Sequence, residues 1–138
     1  MTTTLAEMAQ AGGCRCGRVR YRVAGPAREC FFCHCTSCRR SAGASPVPWV
    51  TFGAAGFGLV DGEPAEYASS RQVLRSFCRH CGTALTYRHS AFPDEIDVMT
   101  LSLDEPAPFA PRHHLWVGER LPWIVIGDDL PRYAADRE

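Results

Sequence analysis

The chain has 138 residues, with fifteen acidic and fifteen basic side chains, zero formal net charge at pH 7 and 46% apolar content. That length reads as one domain, and a chain of this size buries about 68% of its unfolded surface, enough for a core without disulfide staples. Neutral charge excludes the basic field of a nucleic-acid or anionic-membrane binder, and no stretch approaches the ~20 apolar residues of a membrane span.

The opening MTTTLAEMAQAGG lacks the basic start and apolar run of a secretory signal. We expect a flexible leader over 1–11, a single domain over 12–138 and a cytoplasmic location. All fifteen basic residues are Arg, which reads as the codon bias of a GC-rich genome rather than a phosphate-binding set. In GRVRYRVAG (17–25), Val19, Tyr21 and Val23 alternate with Arg18, Arg20 and Arg22, the pattern of a half-buried strand. Strand-like runs follow at ECFFCHC, PVPWVTFG, QVLRSFC, TALTYRH, EIDVMTLSL, HHLWV and PWIVIG, separated by Gly, Pro, Asp and Ser. The one helical turn expected begins at Thr36-Ser37, whose hydroxyls suit an N-cap, and runs to Ala42. The whole reads as mainly β: packed antiparallel sheets or an open barrel with few short helices.

Eight cysteines in a reducing compartment point to metal before disulfides. Seven fall in three clusters: Cys14-Arg-Cys16-Gly, Cys33-His-Cys35-Thr-Ser-Cys38 and Cys78-Arg-His-Cys81-Gly. Residues i and i+2 of a strand share a face, and a CxxC turn brings its sulfurs together likewise. With Zn–S near 2.3 Å, tetrahedral sulfurs stand about 3.8 Å apart, within reach of both spacings. Two pairs complete one four-thiolate shell, so Cys14 and Cys16 are matched with Cys78 and Cys81. Closing the intervening loop costs about 3–4 kcal/mol, against about 10–16 kcal/mol available from a structural zinc.

The middle cluster offers Cys33, Cys35 and Cys38 and stops at three, the ligand number of a catalytic zinc with one open position. The alternative is that Cys30 joins to make C-x2-C-x-C-x2-C, a second closed site. Strand parity opposes this, because an offset of three puts Cys30 on the face opposite Cys33. Parity likewise turns His34 away, leaving His113 or His114 as the other candidate fourth ligands. Three thiolates leave a net negative centre, a weaker Lewis acid than zinc on neutral imidazoles, better suited to holding a substrate thiol as thiolate than to activating water. Arg39 and Arg40 follow directly, placed to offset that charge or to grip a substrate carboxylate.

Four stretches, GGCRCGRVRYRVAGPA, CHCTSCRRSAGA-x4-W, SSRQVLRSFCRHCGTALTYR and SLDEPAPFAPRHHLWVGERLPWI, together resemble the glutathione-dependent formaldehyde-activating enzyme family, which includes the centromere-protein-V-type zinc domain. The likeness runs over residues 12 to 133. It implies a β-tent-like fold and two zinc ions, one structural on Cys14, Cys16, Cys78 and Cys81, the other catalytic on Cys33, Cys35 and Cys38. The implied activity is that of a carbon–sulfur lyase, adding glutathione or a similar thiol to formaldehyde or another small aldehyde. Arg39, Arg40 and Trp49 are then substrate-binding candidates, with Trp116 and Trp123 as further pocket walls. A non-catalytic two-zinc module that binds a protein or other partner is the competing expectation.

Overall fold

The computed structural model describes residues 9–136. Ten strands are formed: β1 (Gln10–Gly13), β2 (Arg20–Val23), β3 (Glu29–Cys33), β4 (Val47–Gly53), β5 (Phe57–Asp61), β6 (Ala65–Ser70), β7 (Val73–Phe77), β8 (Ala84–His89), β9 (Glu95–Met99) and β10 (His114–Leu115). One α-helix, α1 (Thr36–Ala42), lies between β3 and β4. The strands build a three-stranded sheet of order β1-β2-β5 and a seven-stranded sheet of order β10-β3-β4-β9-β8-β7-β6. The fold is therefore mainly β, as expected, and no helix among the described residues is long and apolar enough to cross a membrane.

Alternation along each strand sorts the large sheet into two faces with different tasks. Cys30, Val50, Phe52, Leu85, Ile96 and Val98 point to one side and pack with Val19 and Tyr21, beside and on the small sheet. Phe31, Cys33, Trp49 and Met99 point to the other, where Cys38 of α1 and Leu115 of β10 join them. One face makes the main core and the other gathers cysteines of the middle cluster. Tyr21 and Ser102 share a buried hydroxyl–hydroxyl hydrogen bond of 2.6 Å that ties the small sheet to the turn after β9.

Several boundaries differ from the sequence expectation. Residues 1–8 of the expected leader lie outside the described residues, while Gln10 and Ala11 already pair with Val23 and Arg22 in β1. The strand expected over 17–25 shortens to β2, because Gly17 to Val19 are taken up by the turn around Cys14 and Cys16. EIDVMTLSL ends as a strand at Met99 and continues as a 3-10 turn over Thr100–Ser102. PWIVIG forms no strand; Trp123 and Val125 are 74% and 87% exposed, with no neighbouring strand to supply a ladder. The sheets are not wholly antiparallel, since β10 runs parallel to β3. Strands β5 and β6 were not anticipated, because side chains largely facing solvent leave no hydrophobic alternation to read.

Candidate metal centres and the adjoining cavity

The first sulfur cluster is assembled from two turns of the same design. In one, Gly17 N–H closes on Cys14 C=O; in the other, Gly82 N–H closes on Cys78 C=O. Both glycines have φ of +81°, which admits the backbone curl that L side chains resist. Backbone amides aim at the sulfurs: Val19 N–H donates to Cys14 Sγ at 3.3 Å and His80 N–H to Cys78 Sγ at 3.4 Å. Thr83 Oγ1 lies 3.2 Å from Cys81 Sγ, and that contact is the main reason the Cys81 thiol is held down to about 5. The four sulfurs lie within 4.8 Å of one another, with Cys14 to Cys16 at 3.5 Å and Cys16 to Cys78 at 3.8 Å. Those separations match the edge of a tetrahedral zinc–sulfur shell, about 3.8 Å. The residues fit a zinc ion with every ligand supplied by protein.

The second cluster is built by three successive local structures. Cys33 ends β3, Cys35 is the N-cap of α1, and Cys38 lies in the first helical turn. The cap is the Cys35 sulfur, which accepts from Cys38 N–H at 3.2 Å, and not the Thr36 or Ser37 hydroxyl. All three sulfurs lie within 4.8 Å of one another. Crowded this closely they divide their protons unevenly. Cys33, hydrogen-bonded to Cys35 and then Cys38, is pushed far up, while Cys35, bonded to the same two partners, is held down at about 2. Three cysteine sulfurs held this close make a soft donor set that fits a thiophilic divalent cation such as zinc.

No fourth His, Cys, Asp or Glu among the described residues joins this trio. Cys30 is buried in the main core on the opposite face of the sheet, as parity required. His34 is fully buried and turned aside, its Nε2 2.9 Å from His114 Nδ1, and His114 Nε2 is 3.0 Å from Asp128. His113 stacks on Phe31.

The three sulfurs instead border a cavity of about 610 Å³, within the range of small-molecule sites. Its floor is a transverse row of the large sheet. Register pairs Glu29 with Thr51, Thr51 with Asp97, Asp97 with Tyr87, and Tyr87 with Arg75. Thr51 Oγ1 donates to Asp97 Oδ1 at 2.5 Å, yet burial still raises the Asp97 carboxyl to about 6. Burial is also the main cause that raises the Tyr87 phenol to about 12. Trp49 and Trp116 line the cavity, while exposed Trp123 does not. Arg40 reaches only a smaller neighbouring cavity of about 350 Å³, and Arg39 lines neither.

Arg75 escaped the sequence reading altogether. It is buried, and its Nη2 donates to Ser37 Oγ at 3.1 Å and approaches Cys38 Sγ at 3.6 Å. The signal was present: strand parity puts Arg75 on one face with Val73 and Phe77, an ionisable residue in an apolar stripe. Asp97 carries no such signal, because alternation with buried Ile96 and Val98 reads as the polar face of a half-buried strand.

The model of the glutathione-dependent formaldehyde-activating enzyme family matches residues 9–119, most of the chain and all seven clustered cysteines. The chain belongs to this family. A Halomonas elongata protein bearing the name "Putative glutathione-dependent formaldehyde-activating enzyme" is 31% identical over 126 residues, 83% of this chain and 79% of that protein. Among solved structures, a Rhodobacter sphaeroides protein superposes with a TM-score of 0.60 at 26% identity, covering 73% of this chain and 97% of its own.

Proposed function

We propose that this family member is a zinc-dependent carbon–sulfur lyase-type enzyme that joins glutathione or a similar thiol to formaldehyde or another small aldehyde. The observation that carries the reading is the difference in ligand number, four sulfurs in one cluster and three beside a cavity in the other. On this reading Cys14, Cys16, Cys78 and Cys81 hold a structural zinc, and Cys33, Cys35 and Cys38 a catalytic one. When bound at the second cluster, zinc supplies an acidifying site that favours the thiolate form of a substrate thiol at neutral pH.

The remaining work falls to side chains. Trp49 and Trp116 flank the space beside the sulfurs and offer it aromatic walls. Arg40 faces the adjoining smaller cavity, a position suited to a terminal carboxylate of the thiol. Arg39 touches neither cavity and is left with the more distant role of offsetting the negative sulfur cluster. A cytoplasmic location suits both the free thiols and a glutathione-type cosubstrate.

Purified, zinc-loaded protein should speed formation and breakdown of S-hydroxymethylglutathione above the spontaneous rate, followed by trapping of free formaldehyde. Spontaneous rates with fully loaded protein, across several thiols and small aldehydes, would reject the enzyme reading and leave a zinc-bearing binding module.

A further inference from the structure

Two buried hydrogen-bond donors on residues of the cavity wall have no acceptor among the described residues. Arg75 is 5% exposed and Trp49 3%. Most of the Arg75 fork is engaged: Nε donates to Ser69 Oγ at 2.9 Å, Nη2 serves Ser37 and Cys38, and the guanidinium stands 5.0 Å from the Tyr87 ring centroid. Arg75 Nη1 is left over, and so is Trp49 Nε1. Leaving a buried donor unpaired costs about 1–3 kcal/mol, and more for a charged group. Both residues line the larger and the smaller cavity, so they form part of the wall between the two.

We propose that Arg75 Nη1 and Trp49 Nε1 form a donor pair for the aldehyde-derived oxygen, as carbonyl before addition and as alkoxide once the carbon–sulfur bond has formed. This rests on the thiol-addition reading above and assigns the oxygen's place within it. Arg75 already approaches Cys38 Sγ, so its free nitrogen belongs to the immediate surroundings of the sulfur cluster. In an S-hydroxymethyl adduct the oxygen is two bonds from the substrate sulfur, whereas the carboxylates of glutathione lie several bonds further along the peptide. The near oxygen is the one these donors suit.

The electron count is simple. A sulfur lone pair forms the C–S bond, the C=O π pair moves onto oxygen, and the proton lost by the thiol ends on that oxygen through water. Nothing is oxidised or reduced. Arg75 stays protonated throughout, so it stabilises charge arriving on oxygen and does not deliver the proton. Trp49 adds a neutral donor on a rigid ring whose placement is fixed by packing against Tyr87.

The test uses two stable probes of nearly equal shape. S-acetylglutathione carries an oxygen two bonds from sulfur, and S-isopropylglutathione has a methyl group there instead. Calorimetry on the zinc-loaded full chain should show the acetyl probe binding about tenfold tighter. In Trp49→Phe and Arg75→Met that preference should fall to about unity, with zinc content unchanged and affinity for the isopropyl probe within about twofold. The kcat for addition should drop about 10²-fold in each variant, while KM for the thiol stays within about threefold. Trp49→Phe keeps an aromatic ring without the donor, so it carries the test should Arg75→Met fail to fold. An undiminished preference in Trp49→Phe, equal binding of the probes by wild type, or zinc loss as the cause of the Arg75→Met defect would each overturn the donor pair. Failure of wild type to bind either probe is a different result: it removes the glutathione reading itself, and the assignment with it.

Discussion

The two sulfur clusters use the same atoms and comparable local turns, yet they differ in what lies around them. The four-cysteine cluster joins Cys14 and Cys16 to residues more than sixty positions later, by way of two glycine-ended turns. Its sulfurs face one another and the backbone. The three-cysteine cluster is drawn from six consecutive positions, spans no long loop, and opens on a cavity floored by Thr51, Asp97, Tyr87 and Arg75. Closing a long loop is where a metal stabilises a fold. A cluster that closes none has little folding work to do, and the cavity beside it is the space that the proposed reaction would use.

The sharpest way to break this comparison is to remove one sulfur from each cluster. Cys78 is fully buried, and Cys78→Ser withdraws a ligand from a site worth about 10–16 kcal/mol, comparable with or larger than the ~5–15 kcal/mol that separates a typical folded domain from its unfolded chain. The variant should lose its cooperative melt by circular dichroism. Cys35→Ser should instead lower the addition rate by about 10²- to 10³-fold and shift the melting midpoint by no more than about 5 °C. Equal collapse of both variants would abolish the distinction.

A chelator titration sharpens the same contrast without mutation. A site of three protein ligands should release zinc before a site of four, so two steps are expected. Activity should vanish in the first step with the far-ultraviolet spectrum intact, and the fold should be lost in the second. Release of both ions in one step, with simultaneous unfolding, would make the clusters equivalent.

How much of this was legible in the sequence follows from distance along the chain. The cysteine clusters were readable because CxC and CxxC bring sulfurs together by local geometry, and the face that Cys30 takes was readable because parity is also local. Trp49 had no local signal that separated a cavity wall from ordinary core packing. The cavity floor was not readable, since Glu29, Thr51, Asp97, Tyr87 and Arg75 come from five different strands whose register no local rule specifies. Arg39 and Arg40 show the limit of sequence adjacency. Adjacent in sequence to Cys38, they were expected at the site, but helix α1 carries them away from the larger cavity while Arg75, 37 residues distant from Cys38, takes the place beside its sulfur.

Only the cavity side should impose a pH dependence through a buried carboxyl. The Asp97 carboxyl, ordinarily at 3.8, is raised to about 6 by burial, with Glu95 and Asp136 adding to the rise and Thr51 and Arg75 opposing it. Between those values the folded chain holds the proton more tightly than the unfolded chain, so this group's contribution to stability falls as pH rises toward 6 and is flat above. Asp97→Asn keeps an acceptor for Thr51 and removes the charge. It should be more stable than wild type by about 1–2 kcal/mol at pH 7.5, with the gap narrowing at pH 5. Acid loss of zinc affects both proteins and cancels in the difference. A gap that widens toward acid in paired denaturant melts would show that the carboxylate is held by a favourable partner instead.

The smallest effect bears on the asymmetry most directly. Cys30 sits three residues before Cys33 and is the one remaining thiol that could complete a second closed shell. Its side chain is 8% exposed in the core between the sheets, and burial raises its thiol above the ordinary value. A protonated sulfur among Val50, Val98 and Phe109 is packing, not ligation. Cys30→Ala should therefore cost about 1 kcal/mol, the order expected for one small group removed from a core. Zinc per chain and the rate of addition should remain those of wild type. The modest cost and the unchanged zinc count have to occur together, because either alone fits a ligand that was weakly held. Loss of an ion in Cys30→Ala would mean that β3 can slip or bulge enough to bring opposite faces to one metal, and the cavity would then border a closed site.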